Sequence, residues 1–292
     1  MASALIVVFI LTHMVGDPVD LLLPLDAHQE QADQMRIALG LDRPLWEQFK
    51  DFASRAIRGD FGNSLWQRRP ALRVALESLP NTMKLVGAAF LLAVVMAVPL
   101  GVLAAVKQGS TLDKITSLLA LQGVSTPPFW LGLMLMMILS AKLHWFPTSG
   151  MGGFQHLVLP AVTLAMRPMG RIAQMVRSAM LDQLGELYVT TARAKGLSET
   201  RVVMVHALKN AAIAIVTMAG WELGRLMAGY SAVVEWVFSW PGIGMMVVKA
   251  IDNWDFPLLQ ATVVVTALTI SLVNLLVDLS YSLFDPRIRS EN

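Results

Sequence analysis

Tyr188-Val-Thr-Thr-Ala-Arg-Ala-Lys-Gly196, continuing through Val205-His-Ala-Leu-Lys-Asn210, is the stretch on which the reading of this chain turns. It lies between two long apolar segments and holds the densest group of Arg and Lys beside either of them. Leu181 to Ala194 is good helix-forming sequence, and Gly196 is placed to end that helix in the left-handed region. Ser198 opens a second helical pattern in which Glu199 and Arg201 face out and Val202, Val203 and Val205 are available for packing. The expectation is a short helix, a glycine turn and a second helix, basic and held at a membrane surface. Charge alone favours an ordinary solvated loop between spans.

The composition settles the class around it. Of 292 residues, 55% are hydrophobic and 15% charged, against roughly 25% charged in ordinary soluble domains. Several near-continuous apolar runs are long enough to cross a hydrocarbon core of about 30 Å. A formal net charge of +2 gives no case for nucleic acid, and the absence of cysteine excludes disulfides, thiolate metal sites and Cys catalysis.

Ala-Lys-Gly, nine residues, then His-Ala-Leu-Lys-Asn resembles the cytoplasmic coupling loop of permease subunits in binding-protein-dependent ABC importers. Tyr188 to Leu197 is more similar still to the version in dipeptide, oligopeptide and nickel permeases. Gly16-Asp-Pro18, Gly40-Leu-Asp-Arg-Pro44, Gly59-Asp-Phe-Gly62, Ser239-Trp-Pro-Gly-Ile-Gly244, Asn274-Leu-Leu-Val-Asp278 and Asp285-Pro-Arg287 extend the resemblance from Gly16 to Arg289. In two places the chain departs from the family pattern: Thr190 stands where the general importer motif has an acidic residue, and Ala214 where a proline is usual. The resemblance implies that Tyr188, Thr191, Ala192, Arg193, Ala194, Lys195, Gly196, His206 and Asn210 form a loop that docks on an ATPase subunit.

The fold expected is an all-α polytopic membrane protein with six transmembrane helices. Ala2 to Val15 is the first, short at about 21 Å for its length and read as N-terminally clipped. Residues 16–80 form an extracytoplasmic insertion, with an amphipathic helix through Trp46, Phe49, Phe52 and Ile57. Residues 81–292 form the permease domain, with its coupling loop at 181–210. Its spans are expected at Met83–Val106, Ile115–Ala141, Leu157–Met180, Ala211–Val234 and Phe256–Phe284, with Glu235 to Asp255 a loop. Pro127-Pro128 removes two backbone donors and is expected to kink or split the third span. Lys107, Lys114, the 177–209 segment, Arg287 and Arg289 fall on one side, which the positive-inside rule makes cytoplasmic.

No phosphate-binding Gly-Lys loop, zinc-hydrolase His pair or nucleophile elbow occurs, so the chain reads as a transport subunit and not an enzyme. Glu222 and Arg225 share a face of the fifth span, where charge costs at least about 2.5 kcal/mol each. With Pro127, Pro128 and Asn274 they are the candidates for a translocation path, or equally for a lock between helices. No metal ligand set stands out. The resemblance implies a second homologous permease subunit, two ATPase subunits carrying ATP and Mg, an extracytoplasmic solute-binding protein and a lipid bilayer, the bacterial inner membrane. It also implies inward movement of short peptides, with nickel or another small solute as the alternative within the family. A secondary transporter of another class is the alternative outside it.

Overall fold

A computed structural model of the chain describes residues 42–284, together with Ile6, Phe9, Ile10, Gln34 and Ile37. Most of the first expected span, most of 16–41 and the tail from Asp285 lie outside the described residues. Helices dominate, and among the described residues the only β pairing is an isolated bridge between Asn63 and Pro70.

Helix α1 (Leu45–Ile57) starts directly after Pro44 and carries Glu47 in its first turn and Arg55 in its last, matching the helix dipole. Of its expected apolar stripe, Phe49 and Phe52 pack, their rings 5.4 and 6.0 Å from that of Phe9, whereas Trp46 and Ile57 are exposed. Helix α2 (Ala71–Val106) is 36 residues long and begins well ahead of the expected Met83, running straight through Pro80. Pro80-Asn-Thr82 is therefore not a helix start.

Helices α3 (Thr111–Ser125) and α4 (Pro128–Leu135) replace the expected third span. Thr126 and Pro127 each precede a proline and are both extended, so the chain leaves helical geometry there. The bend between the α3 segment and Pro128–Lys142 is 107°, a break and not a kink. A π-helical stretch, Met136–Lys142, continues α4.

Helix α5 (Phe154–Leu184) passes through Pro160 and Pro168. Helix α6 (Leu187–Ala194) follows, so the expected single helix from Leu181 is interrupted at Gly185 and Glu186. A short turn at Glu199–Arg201 and π-helical Val202–Ala207 lead into α7 (Leu208–Arg225), five residues of π-type geometry (Leu226–Tyr230) and α8 (Ser231–Val237). Helix α10 (Phe256–Phe284) matches the expected sixth span. The expected loop before it contains a helix, α9 (Ile243–Asp252), whose buried Ile243, Met246 and Ala250 carry helical spacing.

Three described helical stretches are long and apolar enough to cross a membrane, Ala71–Val106, Glu199–Val237 and Phe256–Leu279, or four if the bent α3–α4 pair counts as one. Helix α5 has the length, 31 residues, but its polar content, Arg167 and Arg171 above all, keeps it outside that set. The protein is an all-α polytopic membrane protein.

The chain forms two compact units, residues 1–82 with 241–269, and residues 83–240 with 270–292. In the first, Ala71, Ala75, Ile243, Ala261 and Val265 form a small core. Buried Asp255 ties this unit together: it accepts from the N–H of Leu258 at 3.1 Å, capping α10, and from the Ser64 hydroxyl and the Trp66 N–H. In the second unit, α2, α5 and α7 meet at Ala97, Ile172, Val176, Ala211 and Ile215, residues small or slender enough to bring the helices close. Both candidate sites lie in this second unit.

Candidate functional site

The basic loop is a rigid turn with a packed underside. Val189 and Ala192 on α6 are buried against Val202, with Leu184, Tyr188 and Leu197 around them. The Tyr188 hydroxyl lies 2.8 Å from Gln183 Oε1, and the Thr191 hydroxyl donates to the Leu187 carbonyl at 3.0 Å. Gly196 has φ +78°, the left-handed conformation expected of it. Its N–H donates to Arg193 O at 2.9 Å, and that of Leu197 to Ala192 O at 3.4 Å. These are the paired bonds of a Schellman cap, completed by the apolar contact of Leu197 with the same cluster.

Arg193 then reaches over the turn to Glu199, with Nε–Oε2 and Nη2–Oε1 distances of 3.1 and 2.6 Å. The carboxylate pushes the Arg193 pKa up, through its hydrogen bonds first. Glu199 is thus a brace across the glycine and not a bystander. On the outer side Leu187 is 82% exposed, beside exposed Arg193, Ala194 and Lys195. Val202 and Val203 are buried as expected, but Val205 points outward with Met204, because the π-helical turn shifts their register. His206 is half-buried and Asn210 exposed.

One anchor at this end was not singled out from sequence. Arg177 on α5 makes two short bonds to Asp113 on α3, Nε–Oδ1 at 2.6 Å and Nη2–Oδ2 at 2.9 Å. Asp113 also accepts from Gly109 N–H at 2.9 Å. The signal in the sequence was Ser110 followed three residues later by Asp113, a helix-start pattern whose acid is also buried.

The intramembrane charges are arranged differently from their sequence spacing. Glu222, 1% exposed, pairs with Arg171 Nη1 of α5 at 3.3 Å and not with Arg225. Arg225 instead places Nη2 2.9 Å from the Tyr230 hydroxyl. The π-type turn after it, with Gly229 at φ 139°, carries Tyr230 back to this position. Arg167 lies over the same ring, 4.9 Å from its centroid, with Arg225 at 5.6 Å.

Beside this cluster a cleft of about 390 Å³ opens between α7 and α10, lined in part by Trp221, Gly224, Arg225, Asn274 and Asp278. The helices touch at its floor: a Cβ on Gly224 would sit 2.6 Å from Asn274 Oδ1. The structure therefore brings Arg225 and Asn274 together, while Glu222 is turned away and Pro127 and Pro128 serve the α3–α4 break. Arg171, Arg167 and Tyr230 belong to this cluster although the sequence spacing did not connect them. Among the described residues, no group of three His, Cys, Asp or Glu side chains could hold a metal ion.

Residues 97–290 match the family described as binding-protein-dependent transport system inner membrane component. The chain belongs to that family. It is 40% identical, over 285 residues, to the glutathione transport system permease protein GsiC of Escherichia coli strain K12, covering 97% of this chain and 93% of that one. The same figures hold for GsiC of Shigella dysenteriae serotype 1. Among solved structures, an inward-facing form of the MetNI methionine ABC transporter superposes with a TM-score of 0.63 at 20% identity, over 73% of this chain and 96% of that one. An amino acid ABC transporter crystallised with histidines gives 0.52 at 17%, over 74% and 94%. Those two likenesses concern the fold. The protein is accordingly an inner-membrane permease subunit of a binding-protein-dependent ABC importer, a transport subunit that works with ATPase and solute-binding partners.

Proposed function

We propose that this permease carries short peptides inward across the bacterial inner membrane, and that the Tyr188–Asn210 loop transmits ATP-driven movement to it. The observation that carries the coupling role is the braced cap: a helix fixed from below by Val189, Ala192 and Val202, turned at Gly196 and clamped by Arg193–Glu199. Such a unit moves as one body, and it presents Leu187, Arg193 and Lys195 on its exposed side. In this reading Tyr188, Thr191, Ala192 and Ala194 shape the helix, Gly196 sets its exit, and His206 and Asn210 join it to α7.

The peptide assignment draws on the 40% identity to permeases named for glutathione, itself a short acidic peptide. The path runs beside α7 and α10, where Arg225 and Asn274 meet in the cleft, and Pro127-Pro128 sets the bend of the flanking pair. A second homologous permease completes the channel, and two ATPase subunits bind ATP and Mg; nothing on this chain supplies a phosphate loop. The test is reconstitution in liposomes with the co-purifying subunits and binding protein. ATP-dependent uptake of a peptide that the binding protein retains is expected. Uptake without ATP, or a binding protein that retains no peptide, overturns the assignment.

A further inference from the structure

Of the three guanidiniums in this cluster, those of Arg167, Arg171 and Arg225, that of Arg171 takes the buried carboxylate of Glu222. Arg167 and Arg225 share a neutral partner, the ring of Tyr230. Arg167 Nε is buried with no hydrogen-bond partner. Asp278 lines the same cleft as Arg225 but forms no ion pair with it among the described residues. Within a membrane span, cations without counter-charge are costly and occur where they face a watery cavity or an ion pathway. Here Arg225 lines a mostly apolar cleft in which it, Asn274 and Asp278 are the charged and amide side chains, and whose size falls within the range of small-molecule sites.

We propose that the Arg225 end of this cleft is a subsite for the terminal carboxylate of a peptide in transit. The inference rests on the proposed peptide transport and names what the path recognises: short peptides with a free carboxylate, anionic or zwitterionic. Arg225 gives the carboxylate charged donors in a planar fork. Arg167, beside the same Tyr230 ring, adds positive potential without needing contact. The Asn274 amide sits where it can pair with a peptide group, and Asp278, one helical turn further along α10, is placed for an ammonium. Tyr230 holds Arg225 in position through its hydroxyl and leaves other guanidinium N–H groups for the solute.

Trp221, exposed and part of the cleft lining, reports on occupancy. The assembled complex is titrated with trialanine and with trialanine amide, with no binding protein present. The Trp221 emission is isolated by subtracting the signal of a Trp221→Phe complex. The free acid is expected to change that emission saturably, and the amide to be at least about tenfold weaker, the loss of one charge-assisted hydrogen bond. Arg225→Gln should abolish the preference for the acid, and Arg225→Lys should keep part of it. Equal responses to acid and amide in the unaltered complex overturn the subsite, whatever happens to the variants. So does an acid preference that survives in Arg225→Gln. A complex that imports peptide under ATP but shows no acid-selective response refutes the subsite alone, whereas one that imports no peptide refutes the broader reading.

Discussion

Glu222 has its carboxylate almost wholly out of solvent, 3.3 Å from the guanidinium of Arg171. Removing one member of a buried pair strands the other, at about 3–5 kcal/mol. Glu222→Ala should therefore lower the melting temperature and membrane yield of the complex, while Glu222→Ala with Arg171→Met should recover much of the loss. A double variant no better than the single one would show that stranded charge is not the cause. Sequence spacing paired Glu222 with Arg225 because residues three apart on a helix share a face. It had no access to Arg171, which reaches Glu222 from another helix 51 positions away. Nor could it foresee that the Leu226–Tyr230 turn would offer Arg225 a tyrosine instead. Long-range pairing between helices leaves no local pattern to read.

Helix α6 and its turn were legible because caps are local. The left-handed Gly196 and the burial of Val202 and Val203 follow from residues within one or two turns of each other. Gly196→Val forces a β-branched side chain into positive φ, a strain of about 1–3 kcal/mol. The second unit's core is untouched, so normal membrane insertion is expected. ATPase co-purification and solute-stimulated hydrolysis should fall together. Glu199→Ala removes an exposed ion pair worth about 0.2–1 kcal/mol, so it should loosen the turn and reduce coupling mildly, between Gly196→Val and the unaltered protein. Wild-type hydrolysis and co-purification in Gly196→Val would mean that this loop does not couple. The elements misjudged are those where proline and short helices mislead. Pro80 lies inside α2 and α9 hides in a stretch rich in Gly and Trp, whereas the Pro127-Pro128 pair splits its segment, one of the two outcomes expected of it.

For the whole molecule, class and family motifs could be read from composition and from the Tyr188–Asn210 stretch, whereas the solute is not written in any single pattern. A dedicated nickel path would gather imidazole or carboxylate ligands. His144 and His156 are the two histidines near each other on the side opposite the basic loop. The structure sets them apart in character: His144 is exposed at φ 54°, and His156 is half-buried in the first turn of α5, its ring packed beside Gly152. No third ligand joins them among the described residues. Replacing them as His144→Asn, which tolerates the left-handed backbone, and His156→Gln should leave uptake of the native solute nearly unchanged per assembled complex. The measurement is ATP-driven uptake of peptide and of nickel by the same liposomes, normalised to the amount of permease. Peptide uptake that persists in the double variant, with no nickel taken up by either protein, fits a path selected by carboxylate recognition. Uptake abolished in the double variant while the complex still assembles would place these imidazoles on the path and make the cargo a metal.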